Sequence, residues 1–344
     1  MRSTLREYRR VTPALKSVMS GAAIPLPESP HYFLQEVDVL DPTALYLSDP
    51  ALLGDGRLRG LPMIVALSGY VEAGHLAGQI EAVVMDSMPS ETLAQFDLDQ
   101  LYDYRSRRPH VKFVEDHFEE WDAPELTLRV VTDGLGRHFL LLTGPEPDTQ
   151  WERFTQAVVG LAQRLDVSLV ALVSGIPMPV PHTRPMLVTA HGPRADLLPS
   201  TGGNKPTFEI SASVSHLLEL RLQDGGIDHV GLSVHVPQYL AESYLPQAAV
   251  AALEHLSAVT GRTLPTDELR EASRGVIQQI NEQANGSPEI QSVIENMERR
   301  YDDVVDASAH RSILAGPDHD DLPDADELGA AAEAFLASQD EQDH

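Results

Sequence analysis

The sequence predicts an α/β fold: a sheet with buried parallel strands, helices packed against it, and a helical appendage behind it. Two continuous apolar runs, Pro62 to Ser68 and Val167 to Val173, have the pattern of strands buried on both faces. After the first run the apolar residues switch to helical spacing at Ala73, Leu76, Ala77, Ile80, Val83 and Val84, and before the second they fall on one helical stripe at Trp151, Phe154, Val158, Leu161 and Leu165. At 344 residues, 42% hydrophobic, the chain can bury one large core and carry an appendage.

Read in order, Tyr32 to Leu40 and Ala44 to Leu47 are strands, and Glu91 to Phe96 is another. Leu126 to Thr132 and His138 to Thr143 flank Asp133-Gly134-Leu135-Gly136, a strong hairpin signal. Met186 to Ala190 is a strand, Ser211 to Leu222 a helix and His229 to Val236 a strand. Pro246 opens an alanine-rich helix to Thr260, Asp267 to Ala284 forms a helix, and Ser287-Pro288 starts the next. The short Asn285-Gly286 link predicts that these last two pack antiparallel. The expected organisation is an N-terminal extension (1–25), an α/β core (26–262), a helical hairpin (263–306) and an acidic tail (307–344).

Charge and composition exclude several classes. With 52 acidic against 25 basic side chains and a net charge of −27, the chain is unsuited to a nucleic-acid backbone. It has no cysteine, hence no disulfide framework and no thiolate metal site. No apolar run approaches the ~18 residues of a membrane span, and the basic N-terminus lacks the apolar run of a secretory leader. A cytoplasmic protein with no membrane contact is expected. From Asp302 to His344 there are 13 acidic residues and one basic, Arg311, which is how a solvated tail reads. Within it Leu328, Ala331, Ala332, Phe335 and Leu336 fall at helical spacing, the alternative being a short docking helix.

Ligands of open parallel sheets bind outside the carboxyl ends of the strands. Two strands are predicted to end alike, at Ser68-Gly69 and Ser174-Gly175, where backbone amides can approach an anion; the other reading is a tight turn that needs glycine. Gly69 to Gly74, with Tyr70 and Glu72 inside it, matches neither a dinucleotide nor a P-loop fingerprint. Arg105, Arg107 and Arg108 form the densest basic cluster and can either clamp a phosphate or carboxylate or pair with local acids. His182 and Arg184 sit in a proline-stiffened loop near the end of the second buried strand. His229 and His235 share one face of their strand but are too far apart to be a metal pair, and no metal or cofactor is assigned. No GxSxG elbow occurs, so catalysis has no motif behind it.

The stretch Val230 to Pro265, with DYRSRRP (Asp103 to Pro109), GIPMPVPHTRP (Gly175 to Pro185) and the SGYVEAG turn (Ser68 to Gly74), resembles the actinobacterial branch of the PAC2, or proteasome assembly chaperone 2, family. The resemblance covers roughly residues 30 to 300. It implies a three-layer α/β/α core like that of purine nucleoside phosphorylases and nucleoside hydrolases, and a homo-oligomer, with a trimer favoured. It brings no catalytic residues. Eukaryotic members dock through a C-terminal hydrophobic-Tyr-X pattern, from which Gln342-Asp343-His344 departs, so that docking mode is not expected to transfer.

Two functions follow as expectations. One is a non-enzymatic assembly or scaffold protein with an unidentified protein partner. The other is a binder of, or enzyme on, a nucleoside- or phosphate-containing ligand, held by Ser68, Gly69, Tyr70, Glu72, Gly74, Arg105, Arg108, Ser174, Gly175, His182, Arg184 and His235. In that second function Glu72, His182 or His235 would be the acid/base.

Overall fold

A computed structural model describes residues 40–70, 72–197, 207 and 209–314. The N-terminal extension, nearly all of the strand expected from Tyr32, and residues 315–344 of the expected acidic tail lie outside the described residues; residues 307–314, expected in that tail, instead continue the last helix. Ten strands are described: β1 (Tyr46–Ser48), β2 (Pro62–Ser68), β3 (Ser90–Phe96), β4 (Val111–Val114), β5 (His117–Trp121), β6 (Thr127–Thr132), β7 (His138–Pro145), β8 (Leu169–Met178), β9 (Val188–His191) and β10 (His229–Pro237). The helices are α1 (Pro50–Gly54), α2 (Leu76–Ser87), α3 (Leu98–Leu101), α4 (Trp151–Arg164), α5 (Val214–Asp224), α6 (Pro246–Thr260), α7 (Asp267–Ala284) and α8 (Pro288–Leu314).

Eight strands form one mixed sheet in the order β1-β3-β6-β7-β2-β8-β10-β9, while β4 and β5 form a separate ribbon. The central strands β7, β2, β8 and β10 are parallel and the flanking pairs antiparallel. Alternation splits β2 between two cores. Met63, Val65 and Leu67 face Phe154, Val158 and Leu161 of α4 and Val214, Leu218 and Leu222 of α5. Ile64 and Ala66 face Leu76 and Ile80 of α2 and Ala248, Ala249 and Leu253 of α6. Helices therefore cover both faces, which is why β2 and the first half of β8 read as unbroken apolar runs.

The hairpin signal at Asp133 is realised as β6–β7, and the Asp133 carboxylate organises more than its own turn. It accepts hydrogen bonds from the amides of Leu135 and Arg137 (both 2.9 Å), the Arg137 guanidinium (2.8 and 3.0 Å) and the amide of Thr263 (3.1 Å) after α6. Leu264 and Leu269 continue from there into the α2/α6 core, so α7 starts fastened to the body.

Three expectations need correction. The second buried strand does not end at Ser174-Gly175: β8 runs on to Met178, because β10 extends alongside and pairs residue for residue, Ser233 with Ser174 and Val234 with Gly175. Helix α5 begins at Val214 rather than Ser211, since the Ser213 side chain caps it. The β4–β5 ribbon had no place among the predicted strands. Its alternation signal is weak because nearly all of it is exposed.

Burial alone would push the Asp133 carboxyl up, but the donors from Arg137, Thr263 and Leu135 outweigh it and hold its pKa at about 2, against the usual 3.8. A depressed carboxylate contributes stability that is full above the unfolded pKa and is lost as pH falls through the folded one. Asp133→Asn is therefore expected to cost about 2 kcal/mol at pH 7, with the gap to the wild type closing between pH 3.8 and about 2. Urea titrations at stepped pH check this.

Candidate functional site

The carboxyl ends of β7, β2 and β8 meet where β2 turns toward α2. Pro145 of β7 pairs with Ser68 of β2, and the Glu146 amide donates to the Ser68 carbonyl at 2.7 Å. The Glu146 side chain then turns inward. Its Oε2 accepts from the Tyr70 amide at 2.9 Å and its Oε1 from the Val214 amide, the first of α5, at 2.6 Å. Only 9% of Glu146 is exposed. Charge-assisted bonds from backbone amides and the positive end of α5 are what stabilise a carboxylate so placed. Gly69 is the residue that lets it in: a Cβ there would stand 2.3 Å from Glu146 Oε2.

The amide after Ser68-Gly69, the expected anion donor, is thus occupied by the chain's own carboxylate. Ser68 contributes only a long hydroxyl contact to the Gly144 carbonyl (3.4 Å), and the Tyr70 ring points to solvent, 67% exposed. Of the arginine cluster, the middle member enters. Arg107 donates to the Glu146 carbonyl (2.6 Å) and Asp148 (2.7 Å), and its guanidinium stacks over Tyr102 at 4.4 Å. Arg105 and Arg108 are exposed, and among the described residues their guanidinium groups have no partner.

Glu72 forms a parallel bridge with Gly175, and the closeness is absolute: a Cβ on Gly175 would fall 2.2 Å from the Ala73 carbonyl. The glycine serves chain contact, not a ligand. Burial pushes the Glu72 carboxyl up, partly offset by the Gly78 amide. The Gly74 carbonyl accepts from buried Gln79 (2.6 Å), which pins the start of α2.

His182, Arg184 and His235 do not converge on Glu146; each serves a nearby contact. His182 is 1% exposed and has both ring nitrogens engaged, Nδ1 with the Tyr239 hydroxyl (2.7 Å) and Nε2 with Asn281 of α7 (3.0 Å). Arg184 pairs with Asp302 through two 2.8 Å bonds and with Glu298 at 3.2 Å, both on α8. Thr183 also binds Glu298, and the Tyr301 hydroxyl donates to the Pro185 carbonyl (2.9 Å). The 182–185 loop is a mooring for two helices. His235 meets Thr189 of β9 at 2.8 Å, and burial pushes its pKa down.

Ser174 lines a cavity of about 10 Å³ with Ser213, His216, His191, Glu219 and Gly231, room for about one water. His191 bonds Glu219 at 3.1 Å, which pushes its pKa up. His216 Nδ1 accepts from the Ser213 amide (2.9 Å) and completes a capping box for α5. Larger spaces lie elsewhere, about 690 Å³ between the 182–185 loop, α6 and α7, and about 440 Å³ around Asp133 and Thr263. Among the described residues no three His, Asp or Glu side chains are grouped to hold a metal ion, and no helix is long and apolar enough to cross a membrane.

Sequence reasoning missed Glu146, Arg107's role and His216. Glu146 follows Gly144-Pro145 at a strand end, a signal visible only once the strand is known to border β2. His216 replaces the Glu or Gln that marks a capping box.

Two outcomes are expected. Glu146→Ala strands the Tyr70 and Val214 amides and should lower stability by about 3 kcal/mol; formate, but not chloride, should restore part of the melting temperature by refilling the carboxylate position. Arg184→Ala should speed hydrogen exchange of α8 residues 290–302 about fivefold, as a partly exposed pair worth about 1 kcal/mol predicts, while β2 and β8 keep their protection.

The family profile described as the PAC2 family matches residues 66–284. A Corynebacterium glutamicum protein of unknown function is similar at 35% identity, covering 76% of this chain and 98% of its own, with a TM-score of 0.73. A Mycobacterium tuberculosis protein of unknown function is 40% identical over 78% of this chain and 92% of its own, with a TM-score of 0.72. A second M. tuberculosis protein, a proteasome-assembly chaperone homologue, shares the fold at 22% identity over 68% of this chain and 100% of its own, with a TM-score of 0.62. No curated protein matches. By its matched length and by the two relatives above 30% identity, the chain belongs to the PAC2 family.

Proposed function

We propose that this chain is a non-enzymatic, chaperone-like assembly or scaffold protein, acting in the cytoplasm as a homo-oligomer, with a trimer favoured. The observation that carries the reading is the buried Glu146 carboxylate on the Tyr70 and Val214 amides. In a three-layer body of the phosphorylase and nucleoside hydrolase kind, an anionic ligand would seek such amides at the strand ends. Here an incoming phosphate meets a like charge and no free donor at either amide. His182 and Arg184 are equally spent, on Tyr239, Asn281, Glu298 and Asp302. Function is then carried by the surface, and the partner suggested by the M. tuberculosis proteasome-assembly chaperone homologue is a proteasome in the course of assembly.

The competing reading, a binder of a nucleoside- or phosphate-containing ligand, draws on Arg105 and Arg108, unpaired among the described residues, and on the raised Glu72 carboxyl. A thermal-shift screen separates the two. Nucleosides, nucleotides, phosphate and small carboxylates are expected to leave the melting temperature unchanged. A ligand at ~100 times its dissociation constant would add about 2.7 kcal/mol, and such a shift, lost in Arg105→Ala and Arg108→Ala, would sink the scaffold reading. In the positive arm, native mass spectrometry should find the trimer, and substoichiometric chain should speed assembly of actinobacterial proteasome α rings from separated subunits.

A further inference from the structure

One edge of the main sheet is β9, which pairs with β10 and ends the strand order. Its four residues, Val188–His191, are a short strand with little pairing of their own. Two histidines supplement that pairing. His235 of β10 meets Thr189 at 2.8 Å, and His191 reaches across β10 to Glu219 of α5 at 3.1 Å. The second contact depends on Gly231 of β10, since a Cβ there would fall on the His191 ring. One imidazole therefore ties together an edge strand, its neighbour and a helix packed against the sheet.

The partners of that ring are both acceptors. Glu219 offers a carboxylate and Thr189 its backbone carbonyl, and neither has a proton to give, so both favour the imidazolium. As a cation the ring makes a charge-assisted bond to Glu219; as a neutral ring it does not. The other groups around it leave this balance to Glu219. On α5, His216 lines the same small cavity with its Nδ1 spent on the Ser213 amide. From β8 comes Ser174 and from β10 Gly231, both neutral. His229 of β10 lies against Gly192 with its Nδ1 on the Ile227 carbonyl, and Arg194 is turned to Asp196 and Asp228. The bond to Glu219 outweighs burial and pushes the His191 pKa above the usual 6.5, whereas burial pushes that of His235 below it.

We propose that β9 is a proton-operated latch on the edge of the sheet. With a proton on both ring nitrogens of His191 the strand is tied across β10 to α5. Without it the end of β9 and Gly192 come away from α5, and the cavity lined by Ser174, Ser213 and His216 opens to solvent. Folding raises this pKa, so the tie contributes fully below the unfolded value of about 6.5 and is lost as pH rises through the folded one. His235, with its pKa lowered, ionises on the acid side instead. The two supports of β9 thus respond in separate pH ranges, and the alkaline response belongs to His191. The latch stands on packing within one chain and does not depend on what the protein binds.

Two measurements on the full-length chain test this. The first is an NMR titration of the histidine rings, in which the signal missing from His191→Gln identifies His191 among the fourteen. That signal is expected to titrate above 6.5 and to fall back to about 6.5 in Glu219→Gln. The second is backbone hydrogen exchange, corrected for its intrinsic pH dependence. Protection of residues 188–192 should drop at least about threefold between about pH 6 and about pH 9, while β2 and β8 keep theirs. In Glu219→Gln and in His191→Gln, each checked for an unchanged circular dichroism spectrum, protection at about pH 6 should already be at the lower level, with no further alkaline drop. A His191 ring that titrates at or below 6.5 overturns the proposal. So does a ring that titrates as expected while β9 protection stays constant, or an alkaline drop that survives in either variant.

Discussion

A single buried carboxylate ties together the end of one strand, the turn after another and the start of a helix. Glu146 leaves β7, holds the Tyr70 amide beyond β2 and receives the first amide of α5. Those three segments are far apart in sequence, two from neighbouring strands of the sheet and one from a helix that covers it. Gly69 exists to admit the carboxylate, Arg107 grips its carbonyl, and α5 is further capped by Ser213 and His216 just beyond it. The place where a layered α/β protein would be open to a ligand is here a structural joint.

That exchange bears on what kind of protein this is. A site that binds anions must leave donors unpaired and accept the cost of desolvating them until the ligand arrives. This chain has removed that cost by supplying the anion from within. The loop of His182 and Arg184 shows the same economy, the His182 ring being matched to Tyr239 and Asn281 and the Arg184 guanidinium to Glu298 and Asp302. At these two places the polar groups are satisfied from within, and among the described residues the unpaired guanidinium groups of Arg105 and Arg108 lie on the exterior, as does the aromatic ribbon.

The sequence showed what local periodicity can encode. PMIVALS, the Asp133 hairpin and the stripes of α2, α4 and α6 lie where their patterns put them, since each pattern is set by a core that the segment itself faces. The end of β8 was not legible, because its extension depends on pairing with β10, more than fifty residues away. The candidate site was half legible for the same reason. Ser68-Gly69 pointed to the right turn, but the residue that answers it, Glu146, arrives from a different strand. Arginine spacing located the basic cluster and could not tell that the middle member would turn inward. His182 and Arg184 looked like free polar groups because their partners, Asn281, Glu298 and Asp302, are about a hundred residues further on.

The attachment of α8 has one more implication. Arg184, Thr183 and Tyr301 hold the helix by charge and hydrogen bonds, whereas Ile290 and Val293 remain half in water. Exposed charge pairs of this type cost little to break and little to remake, and Ile294, Met297 and Tyr301 add partly buried apolar surface. Helix α8, about 40 Å long at its 27 residues, is thus held to the 182–185 loop largely by polar contacts. Raising the ionic strength is therefore expected to loosen α8 before it loosens the sheet.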